Sequence, residues 1–344
     1  MRKVTLGRTN LEVTHWGLGG IGLSTIMGGG SEEAIRAVIH AALDYGINLI
    51  DTSRVYMDSE TLIGEVMKTR RSEAVIASKT ITRDRDGAMA DLEESLTQLQ
   101  TDKIEIYQLH AVKPHDIELV MGKDGALQAL KEARDQGLID FIGLTSHHVD
   151  VMVQLIKTGE FDTVMFPFNV IERNPAKELL PLAQSLNVGT FVMKPLGGGA
   201  IENRGDCFRF LNSYPVDVIF NGVSNVAEFN ENMPLAENIA PLSTEELAAF
   251  EKEVAVLGQD FCRRCSYCEP CPSDIHIPDM IHVFYQNIQG MTYDELPPEK
   301  QAMGKNLLIW LEACEECGQC EERCPYSLPT IKRKQEMVAM FSGK

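Results

Sequence analysis

From about residue 14 to 240 the chain alternates short apolar runs with amphipathic stretches. The runs are HWGLGG, INLIDT, AVIASKT, IEIYQLH, IDFIGLTS, FDTVMFPF, VGTFVMKP and VDVIFNGVS. Short, near-continuous apolar runs bounded by turn formers are the pattern of strands buried on both faces. Between them apolar residues return at helical spacing, as in SEEAIRAVIHAALDYG (31–46), SETLIGEVMK (59–68) and DGAMADLEESLTQLQ (86–100). Ser31 is placed to cap the first of these helices and Gly46 to stop it. Strands that are each led in by a helix must be parallel, joined by crossover connections. Eight such units in this length predict a (β/α)8 barrel rather than an open doubly wound sheet. The unit around 200–213 is the weakest, with a short helix behind Gly-rich sequence.

A barrel gathers its chemistry at the C-terminal ends of its strands. Asp51, Lys79, His110 and Ser146 end the second to fifth runs, and Asn169 follows the sixth. The segment PLSTEELAAFEKEVAVLGQ then reads as a capped helix ending at Gly258. We expect a barrel over 1–258 and a second, smaller, mainly helical domain over 259–344.

Composition narrows the partners. The 344 residues are 44% hydrophobic with a formal charge of -18. That balance argues against nucleic acid or an anionic membrane, both of which need a basic face. No apolar run approaches the ~18 residues needed to span a bilayer. The opening MRKVTLGRTNLEVT alternates polar and apolar residues and lacks the apolar core of a signal peptide. The expected location is cytoplasmic.

The stretches INLIDTSRVYMDSETLIGEVM, VIASKT, YQLHAV and FIGLTSHH resemble the successive motifs of the aldo-keto reductases, over about 250 residues. The resemblance puts the family's catalytic tetrad on Asp51, Tyr56, Lys79 and His110. Those types suit carbonyl reduction. Hydride delivery leaves an alkoxide-like oxygen that needs a proton, and a Tyr, of pKa about 10 when unperturbed, is a weak acid. An adjacent Lys ammonium favours its ionised form, an Asp holds the Lys, and a His orients the carbonyl. Tyr56 is then the acid, Lys79 its modulator, Asp51 the partner of Lys79, and His110 the orienter.

The same resemblance implies a nicotinamide cofactor, NAD(P)(H). Ser146 and His147 fall where the family contacts the carboxamide, with His in place of the usual Asn, and Asn169 falls at or beside a further amide contact. GVSNVAEFNENMPLAE (222–237) is similar to the family's adenosine-binding loop. Gly222, Val223 and Glu228 stand where NADPH-dependent members carry Lys, Ser and Arg, Ser224 lies among them, and Asn232 matches the adenine contact. A dianionic 2′-phosphate beside a Glu is disfavoured, so NADH is expected over NADPH. KPLGGG (194–199) suits a loop over a diphosphate. His148 reads as a helix start, Asp116 as a helix cap beside His115, and Cys207 as an incidental thiol.

Eight of the nine cysteines lie between Cys262 and Cys324. In a cytosolic chain such spacing reads as metal or redox chemistry rather than disulfides. Cys314, Cys317, Cys320 and Cys324, followed by Pro325, have the C-x2-C-x2-C-x3-C-P spacing of bacterial ferredoxins. Zinc ribbons separate two pairs by about 15–20 residues, unlike these four-cysteine runs. The ferredoxin resemblance implies two [4Fe–4S] clusters ligated crosswise. Cys262, Cys265 and Cys268 would join Cys324 on one, and Cys314, Cys317 and Cys320 would join Cys271 on the other. The first run is one residue shorter before its CP, which leaves open a single cluster at the second run. The spacing between the runs resembles the helical dicluster ferredoxins.

A nicotinamide passes two electrons and a cubane one, and a flavin is the group that does both. One reading is a carbonyl reductase or alcohol dehydrogenase acting on a small carbonyl or alcohol, with the clusters structural or a port for a redox partner protein. The alternative is an electron-transfer protein whose barrel binds a flavin or redox substrate instead.

Overall fold

The computed structural model describes residues 1–260, 262, 268, 270–324 and 327–343. Two compact units result, Met1–Glu251 and Lys252–Lys344. The helix Thr244–Asp260 runs on through Gly258, and the division lies inside it rather than at 258/259.

The first unit opens with an antiparallel hairpin of β1 (Lys3–Thr5) and β2 (Glu12–Thr14). Eight strands follow, β3 (Trp16–Leu18), β4 (Leu49–Asp51), β5 (Val75–Thr80), β6 (Ile104–Leu109), β7 (Ile139–Thr145), β8 (Thr163–Pro167), β9 (Gly189–Met193) and β10 (Val218–Asn221). They form a closed parallel barrel in chain order, with β10 pairing β3 at the seam. Every predicted strand is present, so the expected (β/α)8 architecture is the observed one. The apolar runs are continuous because both faces are covered, one by the barrel interior and one by helices.

Leu49, Ala77, Ile106, Met165, Phe191, Val218 and Phe220 fill the interior together with Leu6 and Val13 of the hairpin. Burying each such Leu, Val or Phe is worth about 1.5–3 kcal/mol. The hairpin was hidden in the alternation of its own sequence. It turns at Gly7, whose φ of +44° and whose place against Gly189 N, 2.3 Å from where a Cβ would stand, admit only glycine. On the outside, the helix Glu32–Asp44 buries Ile35, Val38, Ile39, Ala42 and Leu43, and Ser31 caps it by accepting from Ala34 N at 3.2 Å.

The second unit is helical over its described residues, with segments Pro278–Val283, Phe284–Gln286, Pro298–Glu312, Gln319–Glu322 and Thr330–Phe341. Its core holds Ile277, Ile281, Phe284, Leu307, Leu311, Met337 and Phe341, with Cys268 inside it and Cys271, Cys314 and Cys320 packed against it. Among the described residues no helix is long and apolar enough to cross a membrane.

Candidate active site and cysteine recess

Parallel register carries Asp51, Lys79 and His110 to neighbouring strand ends. Asp51 pairs with Ala77 of β5, Lys79 pairs with Gln108 of β6, and His110 follows directly. Lys79 is fully buried. Its Nζ lies 2.7 Å from the Asp51 carboxylate and donates to the Thr52 carbonyl oxygen at 2.6 Å. It also sits 4.9 Å from the Tyr56 ring centroid. The Tyr56 and His110 rings meet edge to face, 5.7 Å apart. Four residues scattered over the chain thus form one cluster.

Burial sets the electrostatics of this cluster. It raises the Asp51 carboxyl and lowers the Lys79 ammonium, and their mutual contact pulls each back. Burial and then the Lys79 and Arg83 charges hold His110 well below the usual imidazole range, so the ring is neutral at neutral pH. Burial, and then the Asp51 charge, push the Tyr56 phenol up.

Two residues missed by the sequence reading hold His110 in place. Ser53 Oγ lies 3.0 Å from His110 Nδ1. Arg83 donates to the carbonyl oxygens of His110 and Ala111, at 2.8 and 3.1 Å, and pairs with Asp116 at 3.0 Å. Asp116 also accepts from Lys113 N, the expected cap. Ser53 was visible as the neighbour of a strand-end Asp-Thr pair, whereas nothing local marked Arg83.

Asp51 and Tyr56 open onto a cleft of about 430 Å³, floored by Met165, Met193 and Phe220. Its walls are rich in glycine, including Gly20, Gly22, Gly198, Gly199 and Gly222. A Cβ built on Gly198, Gly199 or Gly222 meets nothing within 4 Å, so their backbone faces open space. Lys194 is the one cation on this lining among the described residues.

The predicted cofactor contacts divide into three groups. Gly222, Ser224 and Glu228 line the cleft, and Glu228 accepts from Ser224 N at 3.2 Å. Ser146, His147 and Asn169 stand behind it. Ser146 donates to the Val112 carbonyl oxygen at 2.6 Å and accepts from His148 N at 3.0 Å, which starts the following helix as expected. Asn169 donates to the Lys194 carbonyl oxygen at 3.0 Å, while Lys194 Nζ lies 2.9 Å from His147 Nε2. Lys194, unremarked in the sequence beyond its KPLGGG loop, therefore joins these contacts to the cleft. Asn232 is buried, accepting from Arg204 at 2.8 Å and donating to Asn221 at 3.3 Å, and is not on the lining. Cys207 donates to the Pro195 carbonyl oxygen and is buried, which pushes its thiol up.

In the second unit, Cys268, Cys271, Cys314, Cys317 and Cys320 line one recess with Ile275, Ile277, Ile281 and Ile331. Cys268 and Cys271 of the first run thus share a recess with three of the four cysteines of the second, Cys314, Cys317 and Cys320. Cys262 is buried and Cys324 partly so, while Cys265 lies outside the described residues. Among the described residues no group of three His, Cys, Asp or Glu side chains could hold one metal ion. A cubane differs, since its thiolates each bind a different iron and ring a space rather than a point. An apolar recess edged by thiols fits that requirement.

The sequence pattern of the Aldo/keto reductase family matches residues 16–207. The chain belongs to that family. The pattern of a 4Fe-4S dicluster domain matches residues 261–329, so this aldo/keto reductase carries an iron–sulfur domain C-terminal to its barrel. It is 30% identical to the aldo-keto reductase YhdN of Bacillus subtilis (strain 168) over 219 residues, 59% of this chain and 65% of that protein. With L-galactose dehydrogenase of Arabidopsis thaliana the identity is 26% over 216 residues, 58% of this chain and 67% of that protein. Among solved structures, a putative aldo-keto reductase from Pseudomonas aeruginosa aligns with TM-score 0.61 at 26% identity, over 68% of this chain and 93% of that one. The holo form of an aldo-keto reductase from Bacillus halodurans aligns with TM-score 0.62 at 23% identity, over 73% and 96%, a likeness of fold.

Proposed function

We propose that the barrel reduces a small carbonyl, or oxidises the corresponding alcohol, with a nicotinamide cofactor held in the glycine-lined cleft, and that Tyr56 is the general acid. The observation that carries this reading is the buried Lys79–Asp51 pair set against Tyr56 at the wall of that cleft. When bound, the nicotinamide supplies or takes up the hydride. Tyr56 hands its phenolic proton to the substrate oxygen, and Lys79, 4.9 Å from the ring centroid, steadies the tyrosinate that remains. Asp51 keeps Lys79 in place. Ser53 Oγ, 3.0 Å from Nδ1, fixes the neutral His110 ring, whose other nitrogen is the group to orient the substrate oxygen. Tyr56, whose phenol burial pushes up, holds its proton at neutral pH and has it to give to the substrate oxygen.

The adenosine end favours NADH. Glu228 lies on the lining and already takes the Ser224 amide, a group that a 2′-phosphate would need. Gly198, Gly199 and Lys194 are the residues that would hold the diphosphate. Two [4Fe–4S] clusters would be held crosswise, by Cys262, Cys265, Cys268 and Cys324, and by Cys314, Cys317, Cys320 and Cys271. Cys271 shares its recess with Cys314, Cys317 and Cys320, as this scheme requires, and Cys268 lies on the same wall. The clusters pass single electrons, which makes this domain the docking point for a redox partner protein.

A Tyr56→Phe variant tests the reading. Steady-state reduction of a carbonyl panel with NADH is expected to fall about 10²–10⁴-fold, with unchanged cluster absorbance. Undiminished turnover would overturn the assignment of Tyr56. A stoichiometric flavin in the purified protein would replace the nicotinamide reading with the electron-transfer one.

A further inference from the structure

The turn that carries Tyr56 leads into a helix whose first turn holds a carboxylate with no part in the chemistry so far. Glu60, on the helix Ser59–Arg70, is 1% exposed, and both of its oxygens are taken. Oε1 accepts from Ser78 Oγ at 2.6 Å, and Oε2 accepts from Arg54 Nη1 at 2.5 Å. Ser78 directly precedes Lys79 on β5, and Arg54 and Glu60 flank Tyr56 in the chain. One buried carboxylate therefore closes the turn around Tyr56 and ties it to the strand that carries Lys79.

Backbone bonds fasten the start of the same turn. Thr52 N donates to the Ala77 carbonyl oxygen at 2.8 Å, and Arg54 N donates to the Lys79 carbonyl oxygen at 3.2 Å. Tyr56 lies past these bonds, and its amide donates only within the turn, to the Ser53 carbonyl oxygen at 2.9 Å. Glu60 is the principal partner of Arg54, since the Glu94 carboxylate stands 4.0 Å from Nη2. A buried ion pair seldom stabilises a fold more than apolar side chains of the same size would. Fixing position is the use that its placement suggests.

We propose that Glu60 is a positioning residue for carbonyl reduction, holding Tyr56 against Lys79 through its bonds to Arg54 and Ser78. This role rests on that of Tyr56 as the acid. Glu60 is not on the lining of the cleft and acts through other residues. Misplacing a reacting group by about 1 Å can cost on the order of a hundredfold in rate. The charge of Glu60 bears on the proton as well. Asp51 faces Lys79 from β4, the Tyr56 ring from the turn, His110 from the end of β6, and Glu60 from the outer side of β5. Burial drives Lys79 toward losing its proton, and Asp51 and then Glu60 hold that proton in place.

The full chain with its clusters is assayed for steady-state reduction of the carbonyl panel with NADH, unaltered and as Glu60→Gln. Gln keeps the shape and an acceptor for Ser78 but offers Arg54 no charge. The kcat is expected to fall about tenfold, with the KM for NADH unchanged. The basic limb of the pH–rate profile should move down by on the order of one unit, because losing a nearby negative charge makes a proton easier to remove from Lys79 or Tyr56 alike. A merely structural role would lower the rate by one factor at every pH. That result, or an unchanged rate, would overturn the proposal. Should Glu60→Gln fail to fold, Ser78→Ala takes its place. A lower kcat with a larger solvent deuterium isotope effect is then expected, as the proton handover slows, and an unmoved isotope effect would overturn the proposal. Each of these results leaves Tyr56 as the acid. Undiminished turnover by Tyr56→Phe, or none by the unaltered chain, would remove that assignment, and the role of Glu60 with it.

Discussion

Lys79 in the barrel and Arg333 in the cysteine unit are both buried cations, at 0% and 2% exposure, yet they keep different company. Lys79 faces a carboxylate at 2.7 Å, inside a ring of strands whose apolar core is complete in the protein itself. Arg333 lies 2.9 Å from Nδ1 of the His282 imidazole, which burial, and then the Arg333 charge, keep neutral. The barrel therefore balances its site charges with its own side chains. A small unit with part of its core made of cysteine also has less apolar area to stabilise it, the usual circumstance in which a metal centre supplies folding energy.

The largest expected effect follows from that contrast. Oxidative removal of iron with a chelator should melt the cysteine unit and leave the barrel folded. Limited proteolysis would then cut within residues 252–343 while carbonyl reduction and the barrel's thermal transition persist. Loss of both units together would break the comparison. A second test strikes the barrel. Lys79→Met leaves Asp51 buried without its partner, and urea unfolding should show the barrel destabilised by about 3–5 kcal/mol, with the iron–sulfur absorbance unaffected.

Acid should produce the smallest effect, and it is felt through His15. Burial, and then the Arg2 charge, lower His15 from 6.5 to about 4. Between those values the unfolded chain binds a proton that the folded barrel refuses. The associated stability is present above about pH 6.5 and is lost as pH falls toward 4, by up to about 3 kcal/mol. His15→Gln should flatten this part of the barrel's stability–pH curve. An unchanged slope would assign the acid sensitivity elsewhere.

The barrel was legible because each strand is buried on both faces, which leaves an unmistakable run of apolar residues closed by one polar side chain. Asp51, Lys79 and His110 could be read at strand ends for that reason. What escaped were consequences of three-dimensional neighbourhood. Arg83 acts through the carbonyls of a different strand end, Lys194 through a His far off in sequence, and Asn232 turns from the cleft because Arg204 takes its oxygen. The upward push on Tyr56 belongs to the same class, since burial is not written in residue types. In the cysteine unit the spacing announced the chemistry. It did not announce the buried pair of His282 and Arg333, whose members lie on two helical segments, Pro278–Val283 and Thr330–Phe341.

The seam between β10 and β3 has a bearing on how the molecule is made. Every other neighbouring pair in the ring is adjacent in the chain, so each can form as the next strand leaves the ribosome. β3 is synthesised first and waits for Val218–Asn221 before its second edge is covered, and the hairpin's Leu6 waits likewise for Gly189. During that interval the nascent chain carries an unpaired apolar edge, the kind of surface on which strands of other chains pair. The ring therefore closes only once the chain has been made through residue 221.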